Sequence, residues 1–141
     1  MRSYESSASI EAPRESVWRV LADVAAWPEW LPTVSKVEAL DGRELRMGAR
    51  FIVHQPKLRP ATWIVSQLDE LQGFTWVARS PGLEMMAEHS LSPRASTGTV
   101  VVLRFSFGGL LGGLVGRVYG RVTQSYLEQE AAALKRRAES P

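Results

Sequence analysis

The sequence contains two histidines, the side chains best suited to moving a proton near neutral pH. His89 lies in a stretch that alternates apolar and polar residues, the pattern of a β-strand with one buried face. Because Glu84 and Glu88 should face water, strand parity directs His89 into the interior. There it can act as a general acid or base, or anchor a ligand carbonyl. The structural alternative is a buried histidine whose ring a tyrosine hydroxyl satisfies.

Chemical partners for His89 are few. No inward-facing carboxylate is visible on the predicted strands, which weakens the case for catalysis. Tyr119 and Tyr126 on a predicted C-terminal helix each offer a hydroxyl to a ligand, although aromatic residues on a helix face more often belong to the core. His54 falls on the solvent face of its strand together with Arg50. Because the histidines lie on opposite faces and there is no cysteine, no metal site is expected.

Six glycines between residues 108 and 120 match neither of two common nucleotide-binding loops. No Gly-Lys-Ser/Thr follows them, and they lack the strand–turn–helix setting of a dinucleotide fingerprint. We therefore expect no cofactor. Glycine instead permits a flexible entrance beside the long helix. The exposed Leu110, Leu111 and Leu114 are available to a membrane surface or to another subunit, which leaves a homodimer open.

Charge and hydropathy exclude several classes of protein. The net charge of +2 comes from scattered basic residues without a concentrated stripe, so no nucleic-acid partner is expected. The longest apolar stretch, Leu110 to Val118, contains Arg117 and is too short to span a bilayer, so no stable membrane insertion is expected. The N-terminus lacks the apolar core of a signal peptide, and we expect a cytoplasmic protein.

The elements that must position these residues follow from hydrophobic periodicity. A short helix is predicted to begin near Pro13 and to end at Pro28, and Trp27–Pro32 is a compact turn or a second short helix. Residues Val115–Arg137 predict a long helix. Alternating stretches separated by turn-forming residues predict seven strands, which are Tyr4–Ile10, Thr33–Leu40, Ala49–Gln55, Ala61–Asp69, Phe74–Ser80, Leu83–Ser92 and Thr97–Phe107.

A flat sheet of seven strands cannot be covered by one helix. The sheet must curl around the helix, and a strongly curved sheet leaves space between the two. We therefore predict an α+β protein with a helix-grip fold, in which a curved seven-stranded antiparallel sheet wraps around the long C-terminal helix. Two short helices follow the first strand, and a single domain covers residues 1–141.

The order of these elements resembles the START/Bet v-type (SRPBCC) superfamily, and within it the polyketide cyclase/dehydrase-like proteins. The resemblance rests on segments spread over the whole chain, namely Ile10–Pro13 with Val17–Trp18, Asp23 with Trp27–Trp30, Met47–Phe51, Trp63–Val65, Phe74–Trp76, Gly98–Thr99 and Tyr126–Leu134. It implies a cavity for lipids, hormones, polyketides or aromatic compounds. Some members catalyse cyclisation or dehydration, or assist quinone handling. No catalytic signature is common to all, so the resemblance implies a binding site rather than a reaction.

Strand parity directs mainly apolar and aromatic side chains toward the cavity, which suits a small apolar or aromatic ligand. Both faces of the strand Ala61–Asp69 are plausible inner faces, and Trp63 is placed inward on the resemblance. The predicted ligand-binding residues are Trp27, Trp30, Phe51, Val53, Trp63, Phe74, Trp76, Met85, Ala87, His89, Leu91, Leu103, Phe105, Tyr119, Val122 and Tyr126.

Three functions remain open at this point. The first is binding of a small apolar or aromatic molecule such as a lipid or polyketide. The second is a cyclase or dehydratase acting on a polyketide-like substrate, with His89 as acid or base and Tyr119 or Tyr126 assisting. The third is a partner-binding or quinone-handling module. The absence of an evident acid–base pair favours the first function over the second.

Overall fold

A computed structural model describes residues 2–95 and 97–140 and confirms the α+β helix-grip architecture. The strands are β1 (Arg2–Ile10), β2 (Lys36–Ala39), β3 (Arg50–His54), β4 (Ala61–Asp69), β5 (Gly73–Ser80), β6 (Leu83–Arg94) and β7 (Gly98–Gly108). The helices are α1 (Arg14–Ala22), a 3₁₀ helix (Val24–Glu29), α2 (Gly112–Val118) and α3 (Gly120–Glu139). The prediction of one domain over residues 1–141 includes Met1, Ser96 and Pro141, which lie outside the described residues.

All seven strands belong to one antiparallel sheet with the order β1-β7-β6-β5-β4-β3-β2. Only the pairing of β1 with β7 is non-local, and it brings the first strand beside the last. A bulge between Val65 and Gln67 shifts the register of β4 against β5, which bends the sheet locally. Curvature of this kind gives the sheet a concave inner face.

Several element boundaries differ from those predicted by one or more residues, and two of these differences are the most informative. Strand β2 begins at Lys36 rather than Thr33, because the Val34 N–H donates to the Leu31 carbonyl at 3.1 Å and holds this segment in a turn. The prediction that the first helix ends at Pro28 is wrong. Helix α1 ends at Ala22, where Asp23 leaves the helical conformation, and Pro28 lies inside the 3₁₀ helix.

The predicted long helix Val115–Arg137 is divided at Tyr119 into α2 and α3. Hydrogen bonding continues through the break, since the Tyr119 N–H donates to the Val115 carbonyl and the Tyr119 carbonyl accepts from the Thr123 N–H, each at 2.9 Å. Gly120 follows directly and packs against the Tyr4 ring, and glycine is a common site of helix kinks. The kink lets α2 lie against the end of β7 while α3 crosses β1.

Helices pack on the concave face near both edges of the sheet and complete the core there. Helix α3 packs against β1, β7 and α1, with Leu134 and Val17 fully buried there. The 3₁₀ helix packs against β2 and inserts Trp27 into the core. Space remains between these two contacts, where the concave face of the sheet lines a cavity. Among the described helices, none is long and apolar enough to cross a membrane.

Two glycines of α2 allow a test of how closely this helix packs on the sheet. A Cβ at Gly116 would lie 2.9 Å from the Arg2 Cβ and 3.0 Å from the Phe107 ring, whereas a Cβ at Gly113 meets nothing within 4 Å. We expect Gly116→Ala to lower the free energy of unfolding by about 1–3 kcal/mol through overpacking. Gly113→Ala should raise it by up to about 1 kcal/mol, because alanine favours helix. Denaturant titration measures both, and equal effects of the two variants would contradict this packing.

Candidate functional site

A cavity of about 240 Å³ lies between the concave face of the sheet and the helices α2 and α3. Its walls come from the inward-facing residues of β3 to β7, from Trp27 on the 3₁₀ helix, and from one face of the two C-terminal helices. The side chains that matter most here are Trp27, Val53, Trp63, Trp76, Met85, Ala87, His89, Leu103, Phe105, Phe107, Val115, Tyr119, Thr123, Tyr126, Leu127 and Glu130. The lining is therefore largely apolar, with a small number of polar groups.

Tryptophans form one continuous wall of this cavity. Trp63 and Trp76 stack with ring centroids 5.7 Å apart and an interplanar angle of 28°. Trp27 meets Trp76 edge-on at 5.3 Å, and its indole Nε1 donates to the Leu21 carbonyl at 3.0 Å. This hydrogen bond satisfies the only polar atom of Trp27, so the ring can face the cavity without an unpaired donor.

His89 projects into the cavity from β6, as strand parity predicted. The side chain is buried and stacks on Phe74, with ring centroids 4.1 Å apart. Its Nδ1 lies 3.2 Å from the Phe74 carbonyl, which can only accept, so Nδ1 carries the hydrogen. The Nε2 of the neutral ring then carries a free lone pair. Burial lowers the pKa of His89 to about 4, which keeps the ring neutral at physiological pH.

Glu130 is the partner for His89 that the sequence analysis missed. It reaches in from α3 rather than from a strand, and its Oε2 lies 3.6 Å from the His89 Nε2. That Oε2 is buried and has no hydrogen-bond partner within the described residues. Burial raises the pKa of Glu130 to about 7. The spacing of Thr123, Leu127 and Glu130 is that of one helix face, and this signal was available in the sequence.

Burial determines which of the two groups holds the titrating proton. The separation of 3.6 Å would permit an ion pair, but burial disfavours the charged form of both side chains. Below a pH of about 7 the titrating proton therefore resides on the Glu130 carboxyl, and above a pH of about 4 the His89 Nε2 is unprotonated. The site then offers one donor, the carboxyl O–H, and one acceptor, the imidazole lone pair, a few ångströms apart in an apolar wall.

We assign the mouth of the cavity to the gap between α3 and the loop that joins β3 to β4, because exposed residues beside that gap, Arg59 and Tyr119, line the cavity. Gln55, Leu58 and Arg59 of that loop line it on one side. The Tyr126 hydroxyl reaches across from α3 and donates a hydrogen bond to the Pro56 carbonyl. Tyr119, at the helix break, is 43% exposed while also lining the cavity. Neither tyrosine contacts His89 by a hydrogen bond within the described residues, so the alternative in which a tyrosine hydroxyl satisfies His89 is not what the structure shows.

Eleven of the predicted ligand-binding residues line the cavity, and five do not. Those that line it are Trp27, Val53, Trp63, Trp76, Met85, Ala87, His89, Leu103, Phe105, Tyr119 and Tyr126. Those outside its lining are Trp30, Phe51, Phe74, Leu91 and Val122. That the lining residues bind a ligand stays a prediction.

The five residues lie outside the lining for different physical reasons. Phe51 and Phe74 do face inward, but Trp76 and His89 cover them, at centroid distances of 6.0 and 4.1 Å. Leu91 is buried in the core beyond the end of the cavity, and Trp30 packs edge-on against Trp27. Val122 is on the wrong side of α3, because Thr123 takes the inward position.

Comparisons with known proteins agree with this fold. A family model described as polyketide cyclase/dehydrase and lipid transport matches residues 1–139. No curated protein matches the sequence. Among solved structures, the Zhui aromatase/cyclase from Streptomyces sp. R1128 is 23% identical, with a TM-score of 0.78 over 98% of this chain and 93% of that chain.

Two further structures share the fold at lower identity. Norcoclaurine synthase from Thalictrum flavum, in complex with dopamine and hydroxybenzaldehyde, is 15% identical, with a TM-score of 0.75 over 96% of this chain and 84% of that one. A START superfamily protein from Mycobacterium smegmatis is 20% identical, with a TM-score of 0.71 over 97% of each chain. At these identities the structures establish the fold alone.

The buried pair predicts two opposite dependences of stability on pH. Glu130 titrates near 4.5 when exposed and near 7 in the fold, so its contribution is complete below pH 4.5 and is lost as pH rises through 7. His89 titrates near 6.5 when exposed and near 4 in the fold, so its contribution is complete above pH 6.5 and is lost as pH falls through 4.

Substituting one residue of the His89–Glu130 pair should reveal how the other makes the free energy of unfolding depend on pH. We expect the free energy of unfolding of His89→Leu to fall between pH 4.5 and 7, and that of Glu130→Gln to rise between pH 4 and 6.5. Each change should reach up to about 3 kcal/mol. Urea titrations across this range measure both. A flat profile for His89→Leu would mean that Glu130 is not protonated in the fold.

Proposed function

This chain belongs to the polyketide cyclase/dehydrase and lipid transport family, and from that premise we propose that its cavity binds a small, uncharged aromatic molecule. The observation that carries the proposal is the wall of stacked tryptophans beside one neutral donor–acceptor pair. Aromatic faces favour a flat aromatic ligand through offset or edge contacts. The pair formed by His89 and Glu130 supplies the few polar contacts that fix the orientation of a ligand in an apolar pocket.

The size of the cavity limits the ligand. A volume of about 240 Å³ lies just below the roughly 300–1,000 Å³ of typical small-molecule pockets. Such a volume suits a fused-ring compound of modest size rather than a complete phospholipid. A charged group beside His89 and Glu130 is disfavoured as well, because neither side chain compensates a charge while both are neutral. Norcoclaurine synthase, which shares the fold, was solved in complex with two aromatic molecules, dopamine and hydroxybenzaldehyde.

Filling the cavity tests this proposal directly. Ala87 lines the cavity between Trp76 and Phe105, its cross-strand neighbours. We expect Ala87→Leu to weaken binding of naphthol, followed by quenching of tryptophan fluorescence, at least about tenfold. The same change should raise the free energy of unfolding by about 1–2 kcal/mol, because it buries new methylene groups in empty space.

Ala132→Leu, on the exposed face of α3, is the matched control. It should leave naphthol affinity unchanged. Naphthalene, which lacks the hydroxyl, should bind wild-type protein more weakly than naphthol if the donor–acceptor pair contacts the ligand. Equal naphthol affinity in wild type and in a folded Ala87→Leu variant would place the ligand outside this cavity.

A second function, the dehydration step of polyketide cyclisation, is favoured by one specific observation. His89 and Glu130 form the acid–base pair that the sequence analysis found lacking. The His89 Nε2 lone pair can remove a proton from a carbon next to a carbonyl, while the Glu130 carboxyl protonates a departing hydroxyl, which leaves as water. The imidazolium then returns the proton to the carboxylate across 3.6 Å, which restores both groups.

Kinetics separate this second function from simple binding. If the pair is catalytic, His89→Gln and Glu130→Gln should each lower kcat for a poly-β-ketone substrate by roughly 10²–10⁴-fold. Naphthol affinity should change less than tenfold, as expected for groups that act mainly in the transition state. His54→Gln is the control, because His54 pairs with Glu38 on the outer face at 2.6 Å. Loss of naphthol affinity in parallel with kcat would reduce the pair to a binding role.

A further inference from the structure

The segment that begins α2 presents an apolar surface that the cavity does not use. Leu110 is 98% exposed, Leu114 62% and Val118 68%. Leu114 and Val118 are four positions apart and lie on one side of α2, and Leu110 lies in the turn just before that helix. We call them, with Arg117, the α2 ridge. Large aliphatic side chains exposed in a row mark interaction surfaces rather than ordinary solvated helix.

The opposite side of the same helix is fixed to the protein. Gly112 and Gly116 are buried, and Cβ atoms there would meet Phe107 at 2.8 and 3.0 Å. Val115 and Tyr119 line the cavity. The Tyr4 hydroxyl donates to the Gly116 carbonyl at 2.8 Å. The α2 ridge is therefore held outward by close backbone packing and is not a core face left open by chance.

Within the chain segment that carries the ridge, the charges have one sign. Residues 108–127 contain Arg117 and Arg121 and no aspartate or glutamate. Both arginines are exposed, and neither belongs to the ion pairs found in the described part of the chain. Arg117 lies one helical turn after Leu114, so cation and aliphatic groups share one surface. Arg2, also exposed, is the strand residue that Gly116 packs against.

We propose that the α2 ridge docks the protein reversibly on an anionic lipid surface, beside Tyr119 of the cavity lining. Aliphatic side chains enter the interface, and the arginines contact acidic headgroups, the two contributions that hold amphipathic helices on membranes. The docking is peripheral, since three aliphatic residues do not anchor a chain permanently. It would place Tyr119 beside the lipid.

A second copy of the chain is the competing occupant, and the charges argue against it. In a two-fold symmetric dimer the same patch faces itself. Arg117 would then approach its own copy, and residues 108–127 hold no carboxylate to compensate. An anionic surface removes that repulsion. The docking proposal does not depend on an occupied cavity, so it can be tested independently of the binding function.

Vesicle co-sedimentation tests the proposal. The wild-type protein is mixed with vesicles of phosphatidylcholine alone, or of phosphatidylcholine with phosphatidylglycerol, at low and at high salt. We expect binding to the anionic vesicles that weakens with added salt, because surface charges are screened. Leu110→Ser with Leu114→Ser should weaken partitioning at least about tenfold. Arg117→Gln and Arg121→Gln should weaken it about fivefold each.

Met47→Ser is the matched control, because Met47 is 60% exposed but lies between β2 and β3, outside the ridge. It should bind vesicles as the wild type does. Circular dichroism and urea titration check that every variant is folded. The proposal is overturned if the wild type does not bind anionic vesicles or if the leucine variant binds them equally. It is also overturned if sedimentation equilibrium shows a dimer that the leucine changes dissociate, without vesicle binding.

Discussion

The mismatch between a seven-stranded sheet and a single long helix determines most of what this molecule contains. Helix α3 packs tightly on β1, β7 and α1, while the 3₁₀ helix with Trp27 covers the region near β2. The strands between them curve over a space that neither contact fills. Interiors are otherwise close-packed, so such a space persists only because the surrounding elements are braced against one another. The cavity is thus a product of the topology and does not depend on any one side chain.

The low polarity of that cavity decides the chemistry of the two titratable groups in its wall. A histidine and a glutamate at 3.6 Å on a protein surface would share charge as an ordinary ion pair. Among tryptophans and phenylalanines, burial moves the pKa of each toward its neutral form instead. The same environment that admits an aromatic ligand therefore prepares a donor and an acceptor for it.

The fold and most of the cavity wall could be predicted from the sequence, because both follow from the spacing of apolar residues along strands and helices. Period-two alternation with charged residues on the outer face was enough to orient Trp76, Ala87 and Leu103. Parity states which face a residue is on but not how deep it lies, so Phe51 and Phe74 were placed in the cavity although other rings cover them. On α3 the inward face was assigned one position away, at Val122 instead of Thr123. Glu130, on the same face of α3 as Thr123, was missed as well. Its pairing with His89 is a contact between β6 and α3, which lie far apart in the chain.

The hydrogen bond from the Tyr126 hydroxyl to the Pro56 carbonyl affects how long a ligand stays bound. It joins α3 to the β3–β4 loop at the mouth, while the remaining walls are paired strands and packed rings. A ligand can therefore leave by a local opening of the loop, with the sheet intact, and such openings cost far less than global unfolding. The residence time of a ligand would then follow the fluctuations of this one connection. Changes that stabilise the protein as a whole would leave that residence time unaltered.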